Sequence, residues 1–159
     1  IAPEFFGEIA DTISVCFSKG LGAPVGSMLL SSKNNIALAR RYRKMWGGGM
    51  RQVGLLAAAA DYALENNWDK LEADHRHAKE VARVIFDSKH LAVDMNKLQT
   101  NILLFDTVKE PAEKVLNKLS KDNIQMIQFG PNTIRATFHF EITDEDVEKV
   151  KKALADIGE

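Results

Sequence analysis

The sequence is short of the features that mark several protein classes. Its 159 residues include one cysteine, Cys16, so no disulfide can form within the chain, and a reducing, cytoplasmic compartment is expected. Cys16 lies in an apolar segment, where a buried structural thiol is the default expectation. Four prolines and ten glycines are too few for a collagen-like or low-complexity chain. The longest apolar run, residues 53–60, is too short to cross a bilayer, so no membrane partner is expected.

Metal and nucleotide motifs are also missing. The sequence has no HExxH motif and no cysteine pair, and two of its four histidines, His75 and His77, point in different directions on a helix. We therefore expect no metal site. The stretch GLGAPVG differs from the GxGxxG pattern of dinucleotide-binding loops, and it precedes a strand instead of opening a helix.

Charge is nearly balanced overall but unevenly distributed. Lys and Arg number 21 and Asp and Glu number 22, giving a net charge of −1, which does not favour a nucleic-acid partner. Residues 32–51 nevertheless contain six basic side chains and no acidic one. Within this segment, Lys44 and Arg51 flank three consecutive glycines. Two interpretations remain open, a phosphate-binding site beside a helix N-terminus and a solvated basic helix face.

Short β-rich segments alternate with helical patterns, which predicts an α/β fold class. Ser32 is a predicted helix N-cap, and Thr143 with Asp146 resembles a capping box. A helix over residues 50–66 is apolar on nearly every side and is expected to be buried. The predicted helices cover residues 2–10, 32–46, 50–66, 68–88, 111–122 and 143–157, and the predicted strands cover residues 12–17, 25–30, 101–106, 124–129 and 133–140.

The character of the chain changes near Leu91, which predicts two domains, residues 1–88 and residues 89–159. Two residues stand out as candidates for chemistry, one in each predicted domain. Lys19 follows a strand and precedes Gly20 and Gly22, which leave space for a planar ring beside the amine. Arg135 lies on one face of a strand with Thr137 and His139, while Ile134, Ala136, Phe138 and Phe140 form the opposite face, which is expected to enter the core. An arginine so held can bind a carboxylate through two parallel hydrogen bonds. The ordinary alternatives are a solvated surface lysine and an exposed sheet face.

Three motifs together resemble the low-specificity L-threonine aldolases, which are fold-type-I enzymes dependent on pyridoxal phosphate (PLP). The motifs are SVCFSKGLGAPVGS, RKMWGGGMRQ and LLAAAADYALENN, and a looser similarity extends to TIRATFH. The resemblance implies the C-terminal part of a transferase-like fold: residues 1–88 end the PLP-binding large domain, and residues 89–159 form a small α+β domain. It also implies a homo-oligomer.

The resemblance implies roles for particular residues. Lys19 matches the lysine that forms the Schiff base with the cofactor. Arg51 matches an arginine near the cofactor phosphate, and Lys44 matches a basic residue of the same neighbourhood. Arg135 matches the arginine that holds the α-carboxylate of the substrate, and His139 falls on a histidine whose role is unassigned.

The implied activity is the cleavage of L-threonine or L-allo-threonine to glycine and acetaldehyde, a reaction of glycine biosynthesis. In the family, the phosphate loop, a ring-stacking residue and the Asp that pairs with the pyridine nitrogen all precede the matching segment. This chain is therefore expected to be the lysine-bearing fragment, with the N-terminal part of the same protein as its partner, and to be inactive alone. The alternatives are another fold-type-I enzyme, such as a β-eliminating lyase, and a non-catalytic interaction fragment.

Overall fold

An antiparallel hairpin forms the centre of the N-terminal unit in the computed structural model, which describes residues 2–157. The hairpin pairs Thr12 with Ser31 and Cys16 with Ser27, as expected from two β-rich segments separated by a glycine-rich loop. This unit ends at Trp68. Its elements are α1 (Pro3–Ile9), β1 (Thr12–Cys16), β2 (Ser27–Ser31), α2 (Lys33–Met45) and α3 (Gly54–Asn67).

Both ends of α2 are fixed by local hydrogen bonds. The predicted N-cap is confirmed, since the Ser32 hydroxyl accepts the Asn35 backbone N–H at 3.3 Å. At the other end, Gly47 has φ +82°, a conformation that favours glycine. The Gly47 and Gly48 amides then donate to the carbonyls of Lys44 and Arg43, at 3.2 and 2.8 Å. This pair of bonds is a Schellman motif, and it explains why the helix ends at the glycines.

The predicted burial of the apolar helix is wrong for the described chain. α3 begins at Gly54, not at Met50, and buries only Ala60, Ala63 and Asn67. Leu55 near its start is 82% exposed. Residues 2–68, as described, form one two-stranded hairpin and two other helices, which are too few elements to cover a helix that is apolar on every side.

The C-terminal unit begins at Asp69 and contains a four-stranded antiparallel sheet in the order β3-β4-β6-β5. Three helices and one face of this sheet share a single hydrophobic core. The elements are α4 (Lys70–Phe86), β3 (Leu91–Ala92), β4 (Ile102–Thr107), α5 (Ala112–Lys121), β5 (Ile127–Gln128), β6 (Thr133–Thr137) and α6 (Asp144–Ala155).

Alternation along the strands decides which side chains enter the core. Leu103 and Phe105 of β4 are buried, as are Ile134 and Ala136 of β6, while the residues between them face outward. The predicted core face of β6 is thus confirmed for these two residues and for Phe138. Phe140 was expected on the same face, but β6 ends at Thr137 and the Phe140 side chain is 39% exposed.

Helix predictions hold better here than strand predictions. The capping box of α6 is present, because the Thr143 hydroxyl accepts the Asp146 N–H and the Asp146 carboxylate accepts the Thr143 N–H. In α4, helical spacing predicts an apolar stripe of Leu71, His75, Ala78, Ala82 and Ile85. The structure instead buries His77, and His75 is half-buried. The strand predicted at residues 124–129 is reduced to Ile127–Gln128, and the two-residue β3 was not predicted.

The division between units lies at Trp68, before the predicted boundary between residues 88 and 89. The reason is the apolar side of α4, where Ala78, Val81 and Ile85 belong to the core of the C-terminal unit. The assignment of residues 1–88 to a cofactor-binding domain stays a prediction. No helix within residues 2–157 is both long enough and apolar enough to cross a bilayer.

Candidate functional site

Lys19 lies in a tightly hydrogen-bonded turn directly after β1. The Gly22 amide donates to the Lys19 carbonyl at 2.8 Å, which closes a β-turn over residues 19–22. A wider loop surrounds this turn, since the Ala23 amide donates to the Phe17 carbonyl at 2.9 Å and the Phe17 amide donates to the Gly26 carbonyl at 3.0 Å. The backbone of Lys19 is therefore fixed even though it belongs to neither strand.

The side chains of the same loop separate by polarity. Phe17, Leu21 and Ala23 are buried, whereas Lys19 is exposed. Within residues 2–157, no side chain forms an ion pair or hydrogen bond with the Lys19 amine. The buried apolar residues anchor the loop and leave the amine available to an external carbonyl compound.

Cys16 is not the buried thiol that its apolar segment predicts. It is exposed at the end of β1, because the outward side of the two-stranded hairpin has no covering layer in the described chain. Its Sγ lies 3.4 Å from the Ser18 hydroxyl. Hydrogen bonds from Ser18, and more weakly the charge of Lys19, hold the pKa of the Cys16 thiol below its ordinary value.

The predicted phosphate-binding residues flank the three glycines between α2 and α3. Lys44 lies in the last turn of α2, and Arg51 lies in the turn before α3; both are exposed. The first turn of α3 has no side-chain cap, so its backbone N–H groups are not occupied by a capping side chain. Two basic side chains and an uncapped helix N-terminus are a donor set suited to a phosphate.

The close packing of Gly49 constrains Lys44. A Cβ added at Gly49 would lie 2.8 Å from Lys44 Cδ and 3.4 Å from Lys44 Nζ. Because position 49 has no side chain, the Lys44 side chain can pass close to the backbone there.

Arg135 occupies the middle of the outward face of β6. Its strand neighbours in register are Leu104 on β4 and Ile127 on β5, and both are exposed apolar side chains. The Phe129 ring lies beside the guanidinium, with Arg135 Cζ 5.8 Å from the ring centroid. Arg135 Nε is buried and has no hydrogen-bond partner in the described residues, so the guanidinium retains donor capacity in apolar surroundings.

His139 does not share the strand face of Arg135 as predicted. β6 ends at Thr137, and His139 lies in the following loop with its Nδ1 3.7 Å from the Glu141 carboxylate. The structure thus places Lys19, Lys44 and Arg51 in the N-terminal unit, on separate segments, and Arg135 in the C-terminal unit.

Two residues near these side chains had no distinguishing signal in the sequence. Phe129, whose ring lies beside the Arg135 guanidinium, falls in the strand predicted over residues 124–129, and nothing in that pattern marks a role for it. Asn67, at the end of α3, donates from its side-chain amide to the Leu21 carbonyl at 2.8 Å. A contact between positions 46 residues apart can be recognised only once the fold is known.

Comparison with known proteins identifies the family. The family model described as beta-eliminating lyase matches residues 1–108, which include Lys19, Lys44 and Arg51. The chain belongs to the beta-eliminating lyase family. Members of this family are dependent on PLP.

Relatives of this beta-eliminating lyase family member include proteins named as threonine aldolases, which agrees with the predicted resemblance. The chain is 42% identical over 146 residues to a protein named probable low-specificity L-threonine aldolase 2 from Arabidopsis thaliana. It is 38% identical over 143 residues to the low specificity L-threonine aldolase of Escherichia coli. The alignments cover 90% of this chain and 41% of each relative, so the chain spans about two-fifths of their length.

A solved structure has the same fold as this family member. The crystal structure of a protein described as an L-allo-threonine aldolase from Listeria monocytogenes superposes with a TM-score of 0.80 at 18% identity. The match covers 98% of this chain and 46% of that chain. The predicted fold class, that of fold-type-I PLP-dependent enzymes, is confirmed, and the match covers about half of the solved chain.

Proposed function

We propose that this chain is the lysine-bearing part of a PLP-dependent aldolase that cleaves L-threonine or L-allo-threonine to glycine and acetaldehyde. The observation that carries the proposal is the exposed Lys19 amine on a turn fixed by backbone hydrogen bonds, in a chain of a PLP-dependent family.

The residues of the N-terminal unit fit the cofactor. The Lys19 amine would hold the cofactor through its aldehyde, and Gly20 and Gly22 leave the ring space beside that amine. Lys44, Arg51 and the uncapped start of α3 would bind the phosphate. When bound, PLP supplies the electron sink that accepts the electrons of the breaking Cα–Cβ bond.

Arg135 would bind the α-carboxylate of the amino acid. Its buried, unpartnered Nε lies beside apolar side chains, where a charge-assisted hydrogen bond to a carboxylate is stronger than in bulk water. Two parallel hydrogen bonds would hold the carboxylate in one orientation and thereby fix the direction of the Cα–Cβ bond. We assign no residue of this chain as the base that removes the β-hydroxyl proton.

The remaining inferences concern the rest of the protein. The exposed apolar side of α3 favours coverage by another polypeptide, and we propose the N-terminal part of the same longer protein. We further propose a cytoplasmic homo-oligomer acting in glycine biosynthesis, and we expect residues 1–159 alone to be inactive.

A β-elimination is the second candidate function, because the family model that matches the chain carries that description. Incubation of the longer protein with L-threonine, with separate assays for acetaldehyde and ammonia, distinguishes the two. Acetaldehyde and glycine in equal amounts support the aldolase, and ammonia without acetaldehyde supports the lyase.

The role of Arg135 is tested by substitution. Arg135→Lys should raise the KM for L-threonine about tenfold or more, because a point charge replaces a bidentate donor. The control Arg83→Lys, at an exposed position of α4, should leave KM unchanged.

A further inference from the structure

A buried amide lies beneath the lysine turn, on a different segment of the chain. Asn67, the last residue of α3, is 7% exposed, and its Nδ2 lies 2.8 Å from the Leu21 carbonyl oxygen. Leu21 is the third residue of the four-residue turn that Lys19 begins. The contact therefore joins the end of a helix to the turn that carries the lysine.

The peptide group between Leu21 and Gly22 makes two hydrogen bonds in opposite directions. Its carbonyl accepts from Asn67, and its N–H donates to the Lys19 carbonyl at 2.8 Å. A peptide group is planar, so fixing the carbonyl also fixes the direction of the N–H. Hydrogen bonds arranged in series polarise each other, so each strengthens the other.

We propose that Asn67 is a positioning residue for Lys19, acting through the Leu21–Gly22 peptide group. This inference rests on the proposed function, in which Lys19 holds the cofactor. Without the Asn67 amide, the Leu21 carbonyl loses its partner and the peptide plane is free to rotate. The Lys19 carbonyl then loses its bond, and the amine samples orientations that do not meet the cofactor aldehyde.

The chain contains a matched control. Asn66 is adjacent, and its Nδ2 also donates to a backbone carbonyl at 2.8 Å, but the acceptor is Tyr62 within the same helix. Asn67→Asp and Asn66→Asp each keep the side-chain volume and remove an amide donor. Only the first removes a bond to the lysine turn.

The test uses the longer protein with PLP and measures two quantities below the unfolding temperature. The first is the PLP concentration at which half of Lys19 is trapped as a pyridoxyl adduct by borohydride. We expect about a tenfold increase for Asn67→Asp, the effect of losing one hydrogen bond to a buried carbonyl, and less than twofold for Asn66→Asp. The second is hydrogen exchange of the Gly22 amide without cofactor, which should accelerate about tenfold in Asn67→Asp alone.

Each outcome has a distinct meaning. The positioning role is overturned if Asn67→Asp and the wild type have the same PLP concentration for half-trapping and the same Gly22 exchange rate. This holds even if the melting temperature of the variant falls. Absence of a Lys19 adduct in the wild type overturns the proposed function, whereas the exchange data still report on the hydrogen-bond relay. If Asn67→Asp fails to fold, Asn67→Gln replaces it, because glutamine keeps the amide donor. Its PLP concentration for half-trapping should lie within about threefold of the wild-type value, and its Gly22 amide should exchange slowly. A Gly22 amide that exchanges without protection in the wild type overturns the inference.

Discussion

Gly49 offers a way to displace Lys44 without altering any functional side chain. In Gly49→Ala, the new Cβ would lie 2.8 Å from Lys44 Cδ, whereas carbon atoms in ordinary contact are about 3.5–4.0 Å apart. The Lys44 side chain must therefore move by about 1 Å. Because this side chain is flexible and exposed, the free energy of unfolding should change by less than about 0.5 kcal/mol. If the Lys44 amine binds the cofactor phosphate, affinity for PLP should fall about threefold to tenfold, part of the contribution of one charged hydrogen bond.

Gly47→Ala is the matched control for this experiment. Its Cβ would meet no atom within 4 Å, but φ is +82°, so an alanine there should lower the free energy of unfolding by about 1–2 kcal/mol. PLP titration by absorbance and thermal unfolding, made on both variants of the longer protein, should give opposite patterns. Unchanged PLP affinity in Gly49→Ala, or a larger affinity loss in Gly47→Ala, would refute the placement of Lys44 at the phosphate.

Two further predictions concern the pH dependence of stability. Asp144 accepts hydrogen bonds from Arg76 and His77, at 2.9 and 2.7 Å, and these bonds lower the pKa of its carboxyl group. The stability that they provide is present above the unfolded-state pKa of 3.8 and is lost as pH falls through the folded-state pKa. Asp144→Asn should therefore lower the melting temperature at pH 7, and this effect should shrink as pH falls through the folded pKa of Asp144. Burial raises the pKa of Asp74, which is 1% exposed, so its effect has the opposite sign: wild-type stability falls as pH rises through the folded pKa. Asp74→Asn should raise the melting temperature at pH 8, with a smaller gain at pH 4; a larger gain at pH 4 would contradict this assignment.

Local patterns predicted the parts of the fold that depend on local chemistry. The N-cap at Ser32, the capping box at Thr143 and the helix end at Gly47 each follow from hydrogen bonds within a few residues. The hairpin of β1 and β2 was also predictable, because a glycine-rich loop separates two β-rich segments.

Features that depend on distant contacts are not marked by local sequence patterns. The division between units lies at Trp68 because α4 packs with elements far along the chain, and no composition change marks that packing. Exposure of α3 and Cys16 depends on which elements cover them, a property that apolar periodicity does not report. The roles of Lys19 and Arg135 came from a family resemblance, since a lysine after a strand and an arginine on a strand are common in proteins. The contact between Asn67 and Leu21 joins positions 46 residues apart, so no local pattern indicates it.

The most direct test of the account asks whether Lys19 holds the cofactor. The longer protein is incubated with PLP, reduced with borohydride and digested, and each lysine-containing peptide is analysed by mass spectrometry. We predict a pyridoxyl adduct on the Lys19 peptide, no adduct on the Lys44 peptide, and loss of the adduct in Lys19→Ala at unchanged thermal stability. An unmodified Lys19 in protein that retains PLP, or an adduct confined to another lysine, would contradict the central claim.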